Sequence, residues 1–261
     1  MIVLAGRGLG RSFGPRTVVD GVDVEVRAGE VVGLLGPNGA GKTTALRILA
    51  GVISADAGRV ELAGEDVTRL GLAARARRGL GYLAQEPTVF RSLSARQNVL
   101  AYLEAARAAR ARQARERSAD DLLRRVGLDA LADARAGTLS GGERRRLEVA
   151  RTLALDPKVL LCDEPFTGVD PLAATELAGT LARLAHAAGV GVLLCDHAAQ
   201  VALAVCDRIY VMLEGRITAE GTPDEVSERQ DVRGAYLGPR AVAIIQPGTA
   251  SAVGTRSEGS G

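Results

Sequence analysis

Gly36-Pro37-Asn38-Gly39-Ala40-Gly41-Lys42-Thr43, with the apolar run Val31–Leu35 before it, is the stretch of sequence that decides the fold. An uninterrupted apolar run of this kind predicts a strand buried on both faces of a parallel sheet. Residues 42–50 then predict a helix that stops at Gly51. A buried strand, a glycine-rich loop and a helix make one βα unit, so we predict an α/β fold with a mostly parallel sheet.

The loop between this strand and this helix has the spacing of a phosphate-binding loop, G-x-x-x-x-G-K-[ST]. Its glycines let successive backbone N–H groups surround phosphate, and the helix N-terminus adds partial positive charge. Lys42 is expected to reach the outer phosphates, and the Thr43 hydroxyl to ligate Mg²⁺. We therefore predict a site for ATP and Mg²⁺ over residues 36–43, with Thr44 as a further nucleotide contact.

A second predicted buried strand ends in two carboxylates, in the sequence Leu160-Leu161-Cys162-Asp163-Glu164. Phosphoryl transfer needs one group that holds the metal and another that orients and activates the attacking water. We assign the first role to Asp163 and the second to Glu164. An acidic pair at a strand end is often just the start of a loop, so this assignment depends on its pairing with the phosphate loop.

The segment Leu139-Ser140-Gly141-Gly142-Glu143 precedes a helix predicted over residues 143–154. Ser140 and the amides of Gly141 and Gly142 form a second anion site at a helix N-terminus. One chain needs a single phosphate loop per nucleotide, so a second anion site implies that two chains share each nucleotide. The alternative is a capped helix after a turn, and the other motifs are what favour the shared site.

The remaining sequence divides into strand-rich and helix-rich regions. Residues 18–26 alternate with a period of two and residues 58–67 indicate short strands, which together predict an antiparallel β-subdomain near the N-terminus. From about residue 87 to 154, alanine, arginine and leucine recur at helical spacing and predict a helical insertion lobe. Residues 239–261 are rich in Gly, Ser, Ala and Thr, which predicts a disordered tail.

Helix boundaries in the lobe are predicted from capping residues. Ser92 or Ser94 is expected to cap a long helix that continues through Arg117. Ser118 is expected to open a second, shorter helix that ends at Gly127.

Composition excludes several classes of protein. The net charge is +2, which gives no electrostatic argument for nucleic acid as a direct partner. The three cysteines, Cys162, Cys195 and Cys206, have neither the number nor the spacing of a disulfide scaffold or a zinc site. The chain has no signal peptide and no apolar run near the roughly 20 residues that span a bilayer, so we expect a cytoplasmic protein.

The lobe also contains a series of arginines that could suggest nucleic acid or anionic lipid. More often such a series is the solvated face of an alanine-rich helix, and we interpret it so. Its members are Arg107, Arg110, Arg112, Arg115 and Arg117.

With all three motifs on one chain, the sequence resembles an ATP-binding-cassette (ABC) ATPase over about residues 1–238. The resemblance implies a P-loop NTPase core with an antiparallel β-subdomain and a helical lobe. It also implies a homodimeric, ATP-hydrolysing subunit that drives a membrane transporter through two transmembrane subunits.

The same resemblance implies roles for residues outside the three motifs. Gln85 matches the Q-loop glutamine, which senses Mg²⁺ and contacts the transmembrane partner. Asp170, in Gly168-Val169-Asp170, matches the D-loop that crosses the dimer interface and contributes to the nucleotide site. His197 matches the catalytic switch histidine that contacts the γ-phosphate, and Phe13 stands where the family places an adenine-stacking aromatic residue.

At finer detail the chain is similar to the ATPases of lipopolysaccharide export transporters. The similarity is carried by residues 74–86, 89–94, 140–146, 165–171 and 236–238. It implies a position on the cytoplasmic face of the inner membrane, with membrane subunits docking near Gln85, Phe90 and Arg91. Without the family context, Phe90 could equally be a core residue of the helical lobe.

The chain departs from this group in having Ala84 in place of proline, Cys162 in place of an aliphatic residue, and the long tail. Three alternatives therefore stay open for the cargo or role. The chain could serve a branched-chain amino acid importer or an exporter of another lipid or glycoconjugate. It could also be a soluble cassette protein of translation or DNA repair, although such chains usually carry two cassettes or a long coiled coil. Glu164 and His197 argue against a nucleotide sensor that does not hydrolyse ATP.

Overall fold

The computed structural model describes residues 1–105, 112–196 and 199–232. Several sequence predictions concern residues outside these ranges. They are the switch assignment of His197, the positions of Arg107 and Arg110, the matched segment 236–238 and the predicted tail 239–261.

The strands of the described residues form two sheets, and both follow the predicted division of the chain. The first is antiparallel, with strand order β2-β1-β4-β5. The second has strand order β10-β9-β3-β8-β7-β6, and all of its neighbours are parallel except β10 and β9. The strands are β1 Ile2–Phe13, β2 Arg16–Arg27, β3 Val31–Leu35, β4 Ala57–Leu62, β5 Glu65–Asp66, β6 Leu80–Leu83, β7 Val159–Asp163, β8 Gly191–Asp196, β9 Arg208–Leu213 and β10 Arg216–Gly221.

The central strands are buried on both faces, as their apolar runs predict. Every residue of β3, β7 and β8 is buried. In β3, Val31 and Leu35 pack into one apolar cluster, and Val32 and Leu34 pack into the other. This alternation is the period of two of a strand, and it places a layer of structure on each side of the sheet. The predicted α/β fold is confirmed.

Helices cover both faces of the parallel sheet. The first, α1, follows the loop after β3, and the helices between β6 and β7 form the predicted helical lobe. The helices of the described residues are α1 Lys42–Ala50, α2 Leu72–Ala76, α3 Ala95–Ala105, α4 Arg112–Arg125, α5 Gly141–Leu153, α6 Pro171–Ala188, α7 Ala199–Val205, α8 Pro223–Glu228 and α9 Gln230–Val232.

One capping residue in the lobe is predicted correctly, and another is not. The Ser94 hydroxyl accepts a hydrogen bond from the backbone N–H of Gln97 at 3.2 Å, and so caps α3. The sequence predicts that Ser118 opens a helix, but Ser118 lies inside α4, where its hydroxyl donates to the carbonyl of Ala114 at 2.8 Å. A serine can bond the preceding turn in this way, so its presence does not by itself mark a helix start.

Candidate nucleotide and metal site

The phosphate loop leaves the end of β3, and α1 begins at Lys42. Gly36 and Gly41 have φ angles of 152° and 105°, where a residue with a Cβ is strained. A Cβ at Gly36 would lie 2.1 Å from the carbonyl oxygen of Met212, and one at Gly41 would lie 2.4 Å from that of Val18. Glycine is therefore required at both positions for the loop to fold against β9 and β2.

A cavity of about 320 Å³ opens above this loop. Lys42 is buried there, and its ammonium group donates to the carbonyls of Gly36 at 2.8 Å and Pro37 at 3.0 Å. Burial lowers the pKa of Lys42, and the nearby Glu164 and Asp163 oppose that shift. The described residues that line the cavity are Phe13, Arg16, Val18, Asn38, Gly39, Gly41, Lys42, Thr43, Thr44 and Glu164.

Phe13 lies at the end of β1 and is 49% exposed. The guanidinium carbon of Arg11 lies 5.1 Å from the centre of its ring. An exposed ring beside a phosphate loop offers a flat apolar surface on which a purine can stack. The structure thus brings Phe13 to the cavity that holds Lys42 and Thr44.

Asp163 ends β7 and is fully buried, although it carries a carboxylate. Two donors approach its Oδ1: the Thr43 hydroxyl at 3.1 Å and the Cys195 thiol at 3.2 Å. Burial raises the pKa of Cys195 well above its usual value, so the thiol stays protonated and can donate. A hydroxyl and a carboxylate this close are the hard oxygen ligands that suit Mg²⁺, so the residues present fit the metal that the sequence predicts.

Glu164 follows Asp163 and lines the cavity. Its side chain accepts hydrogen bonds from the Gln85 amide at 2.9 Å and from the Thr167 hydroxyl at 3.1 Å. Its backbone N–H donates to the carbonyl of Cys195 at 2.8 Å, which ties it to the neighbouring strand. Gln85 and Glu164, 79 residues apart in sequence, therefore meet at one edge of the site.

Ser140, Gly141 and Gly142 stand at the N-terminus of α5. Ser140 caps the helix: its hydroxyl accepts from the N–H of Glu143 at 3.2 Å, and its own N–H donates to the Glu143 carboxylate at 2.7 Å. A Cβ at Gly142 would lie 2.5 Å from the Cβ of Ala173 in α6, so glycine lets these two helices pack closely. None of these three residues is among the described residues that line the cavity.

Asp170 is the N-cap of α6, and its carboxylate accepts from the N–H of Ala173 at 3.0 Å. It is exposed, and it does not line the described part of the nucleotide cavity. The loop that ends at Asp170 and the Ser140 segment thus lie side by side, since Gly142 packs against the start of the helix that Asp170 caps.

A separate, mostly apolar groove of about 420 Å³ lies where the helical lobe meets β6, lined by residues that include Leu72, Tyr82, Tyr102 and Arg151. The Arg151 guanidinium is stacked between two rings, 4.9 Å from the centre of Phe90 and 4.4 Å from that of Tyr102. Phe90 is 46% exposed, so it is not a core residue of the helical lobe.

Arg91, the other predicted docking residue, is exposed next to Phe90. Its carbonyl accepts from the N–H of Gly137 at 2.9 Å, which fixes the backbone at this position. Arg117 is also exposed, in agreement with the solvated face predicted for the arginine series.

Tyr82 and Arg47 belong to the site, and the sequence reasoning missed both. The Tyr82 hydroxyl donates to Asp163 Oδ2 at 3.2 Å, and Arg47 Nε lies 3.5 Å from the same oxygen. Burial and the adjacent Asp163 charge raise the pKa of Tyr82 to about 12, so its hydroxyl remains a donor. Arg47 has a sequence signal, because it lies four residues after Thr43 on the same face of α1.

The fold, the phosphate loop and the carboxylate pair are those of an ATP-binding cassette. Comparison with known proteins gives the same class. The model of the ABC transporter family matches residues 19–167, and the chain belongs to this family. It is an ATPase subunit of the transporter type.

Similarity to individual proteins indicates which kind of ABC ATPase the chain resembles. The chain is 43% identical over 238 residues to the lipopolysaccharide export system ATP-binding protein LptB of Escherichia coli strain K12, covering 91% of this chain and 98% of that protein. It is 45% identical to the LptB protein of Acidithiobacillus ferridurans over 90% of this chain and 97% of that one.

Among solved structures, the ADP conformation of MJ1267, an ATP-binding cassette of an ABC transporter, has a TM-score of 0.81 at 29% identity. That match covers 91% of this chain and 99% of MJ1267.

Proposed function

We propose that this chain is the ATPase of a lipopolysaccharide exporter, working as a homodimer beneath two transmembrane subunits on the cytoplasmic face of the inner membrane. The observation that carries the proposal is the meeting of Lys42, Thr43 and Glu164 in one cavity, with Asp163 behind Thr43. The cargo is inferred from the LptB relatives, which match the chain over nearly their whole length.

The chemistry follows from the positions of the side chains. Lys42 gives up its contacts with the Gly36 and Pro37 carbonyls and binds the outer phosphates of ATP, while Phe13 stacks on the adenine. Thr43 and Asp163 would hold Mg²⁺, which would supply positive charge to neutralise the phosphates. Glu164 orients the attacking water and accepts its proton, and Gln85 holds the Glu164 carboxylate in place.

The anion site at Ser140 supports the proposed dimer. This segment and Asp170 lie outside the described lining of the chain's own cavity, yet the helix N-terminus at α5 is suited to phosphate. A second chain, turned to face the first, brings its Ser140 segment over the γ-phosphate and completes the site. His197, which matches the family's switch histidine, is proposed to contact the same γ-phosphate.

The apolar groove is the proposed docking site for the membrane subunits. Arg151 is 2% exposed, and among the described residues its Nε and Nη1 have no hydrogen-bond partner. A partner segment that enters this groove can bury apolar side chains against Leu72 and Tyr82 and present an acceptor to Arg151. Among the described residues, no helix is long and apolar enough to cross a membrane.

Purification of the tagged chain from its own membranes tests this proposal. The wild-type chain is expected to bring down membrane-spanning subunits, and lipopolysaccharide is expected to stimulate ATP hydrolysis by the reconstituted complex. Phe90 does not line the groove, but its exposed ring contacts the groove residue Arg151. Phe90→Ala should therefore lower recovery of those subunits about tenfold, equivalent to about 1.4 kcal/mol of binding free energy. Ile2→Ala is the matched control, because Ile2 is 39% exposed and lies in β1, outside the groove.

Other outcomes of this purification point to the alternatives. Stimulation by branched-chain amino acids and not by lipopolysaccharide indicates an importer. Recovery with ribosomes or DNA, without membrane protein, indicates a soluble cassette protein and contradicts the proposal.

A further inference from the structure

Tyr82 is one side chain that touches two sites. It lies in β6, which pairs in parallel with β7 so that Tyr82 is opposite Leu161 and Leu83 is opposite Cys162. Its ring lines the apolar groove, while its hydroxyl donates to Asp163 Oδ2 at 3.2 Å. The groove and the metal-site aspartate are therefore separated by the width of this side chain.

The two oxygens of Asp163 are held from different directions. Oδ1 receives the Thr43 hydroxyl, from the helix of the phosphate loop, and the Cys195 thiol, from β8. Oδ2 receives the Tyr82 hydroxyl, with Arg47 Nε at 3.5 Å. Because Asp163 is fully buried, these protein groups set the rotation of its carboxylate, and one of them belongs to the groove.

Tyr102 is a second tyrosine of the groove, and its hydroxyl bonds Arg151 instead of Asp163. It lines the same groove, and its hydroxyl accepts from Arg151 Nη2 at 2.7 Å. Both tyrosines thus place a ring in the groove and use the hydroxyl in a hydrogen bond with a charged group. Of these two tyrosines, Tyr82 is the one whose hydroxyl bonds Asp163, which makes Tyr102 an internal control.

We propose that Tyr82 is a positioning residue: it orients the Asp163 carboxylate for Mg²⁺ and links that orientation to the occupant of the groove. A segment that docks in the groove contacts the Tyr82 ring, and any shift of the ring moves the hydroxyl that holds Oδ2. The inference rests on the proposed nucleotide site and docking groove.

Manganese binding tests the positioning role without any hydrolysis. Mn²⁺ takes the oxygen ligands of Mg²⁺ and is visible by electron paramagnetic resonance, so its Kd can be measured in the presence of the non-hydrolysable analogue AMP-PNP. Tyr82→Phe removes only the hydroxyl and is expected to raise the Kd for Mn²⁺ about three- to tenfold, the order of one hydrogen bond to a charged group. Its affinity for AMP-PNP in EDTA should equal that of the wild type.

Tyr102→Phe is the matched control and should leave both affinities unchanged. Equal Kd values for Mn²⁺ in the wild type and Tyr82→Phe, or equal shifts in the two tyrosine variants, overturn the positioning role. A wild-type chain that binds no Mn²⁺ with AMP-PNP overturns the proposed metal site as well, so the two failures are distinct. Thermal unfolding of each variant shows whether a shift reflects loss of folded protein.

The link to the groove is tested in the complex with the co-purified membrane subunits. In the wild type, assembly should change the Kd for Mn²⁺ at least twofold relative to the isolated chain. In Tyr82→Phe, the ratio of the Kd in the complex to the Kd of the isolated chain should fall to one. A ratio in Tyr82→Phe equal to the wild-type ratio, or no effect of assembly in the wild type, overturns the link.

Discussion

At the scale of single residues, Glu164 combines a proposed catalytic role with a strained backbone. Its φ is 46°, in the left-handed region that residues with a Cβ avoid. The strain is held by the hydrogen bond from its N–H to Cys195, and it turns the carboxylate from the buried strand towards Gln85. Strain of this kind is found at functional sites, where geometry is kept at a cost in stability.

Replacement of Glu164 by glycine and by alanine separates these two properties. Both variants lose the carboxylate and should lose ATP hydrolysis. Glu164→Gly should be more stable than Glu164→Ala by about 1 kcal/mol, because glycine adopts a positive φ without strain. Denaturant unfolding of the two variants measures this difference, and equal stabilities would contradict the presence of strain at this residue.

Residue roles are predictable where spacing encodes them. Lys42 and Thr43 belong to a loop of fixed spacing, and Asp163 follows an apolar run, so the sequence predicts their convergence at the strand ends. Tyr82 carries no such signal, because its contact with Asp163 depends on the pairing register of β6 with β7. Register between strands that are distant in sequence is a property of the folded sheet.

At the scale of elements, the phosphate-loop helix α1 is held at its far end by a buried charge. Arg75 is 2% exposed and donates to the carbonyls of Ile48 and Leu49, both at 2.7 Å, at the end of α1. It also donates to the carbonyls of Leu70 at 2.8 Å and Thr68 at 3.0 Å. A single guanidinium thus gives charged donors to the carbonyls at the end of α1, of which that of Ile48 also accepts from the Gly51 N–H at 3.0 Å.

Arg75→Ala should therefore lower the free energy of unfolding by about 3 kcal/mol, since it removes charged hydrogen bonds and leaves buried acceptors unpaired. Arg78→Ala, three residues on, is the control. Its side chain is 42% exposed and pairs with the exposed Glu65, so its loss should cost less than about 1 kcal/mol. Chemical denaturation of both variants measures the contrast; equal losses would rule out the capping role of Arg75.

Elements with an uninterrupted apolar run, β3, β7 and β8, are predictable from sequence alone. Strand β6 is harder, because its four residues include Gly81, and its burial comes from packing on β7 and α5. The boundary expected at Ser118 is wrong for a related reason. A serine side chain can cap a new helix or bond the turn before it, and tertiary packing chooses between these outcomes.

At the scale of the whole molecule, the two proposed halves of the nucleotide site are separated on one chain. The cavity with Lys42 and Glu164 lies on the sheet core, and the Ser140 segment lies on the helical lobe beside the Asp170 loop. Each half lacks what the other supplies, which is the physical reason to expect two chains around each nucleotide. In the proposed function, the groove beside Tyr82 transmits closure of this dimer to the membrane subunits.

The most direct test of this account is the mass of Glu164→Gln in the presence of ATP, measured by light scattering together with phosphate release. We predict that ATP doubles the mass from the chain's 27.1 kDa and that the dimer persists without turnover. Lys42→Ala should remain a monomer, because its loop no longer holds the outer phosphates. A Glu164→Gln chain that binds ATP and stays monomeric, or that hydrolyses ATP at the wild-type rate, contradicts the account.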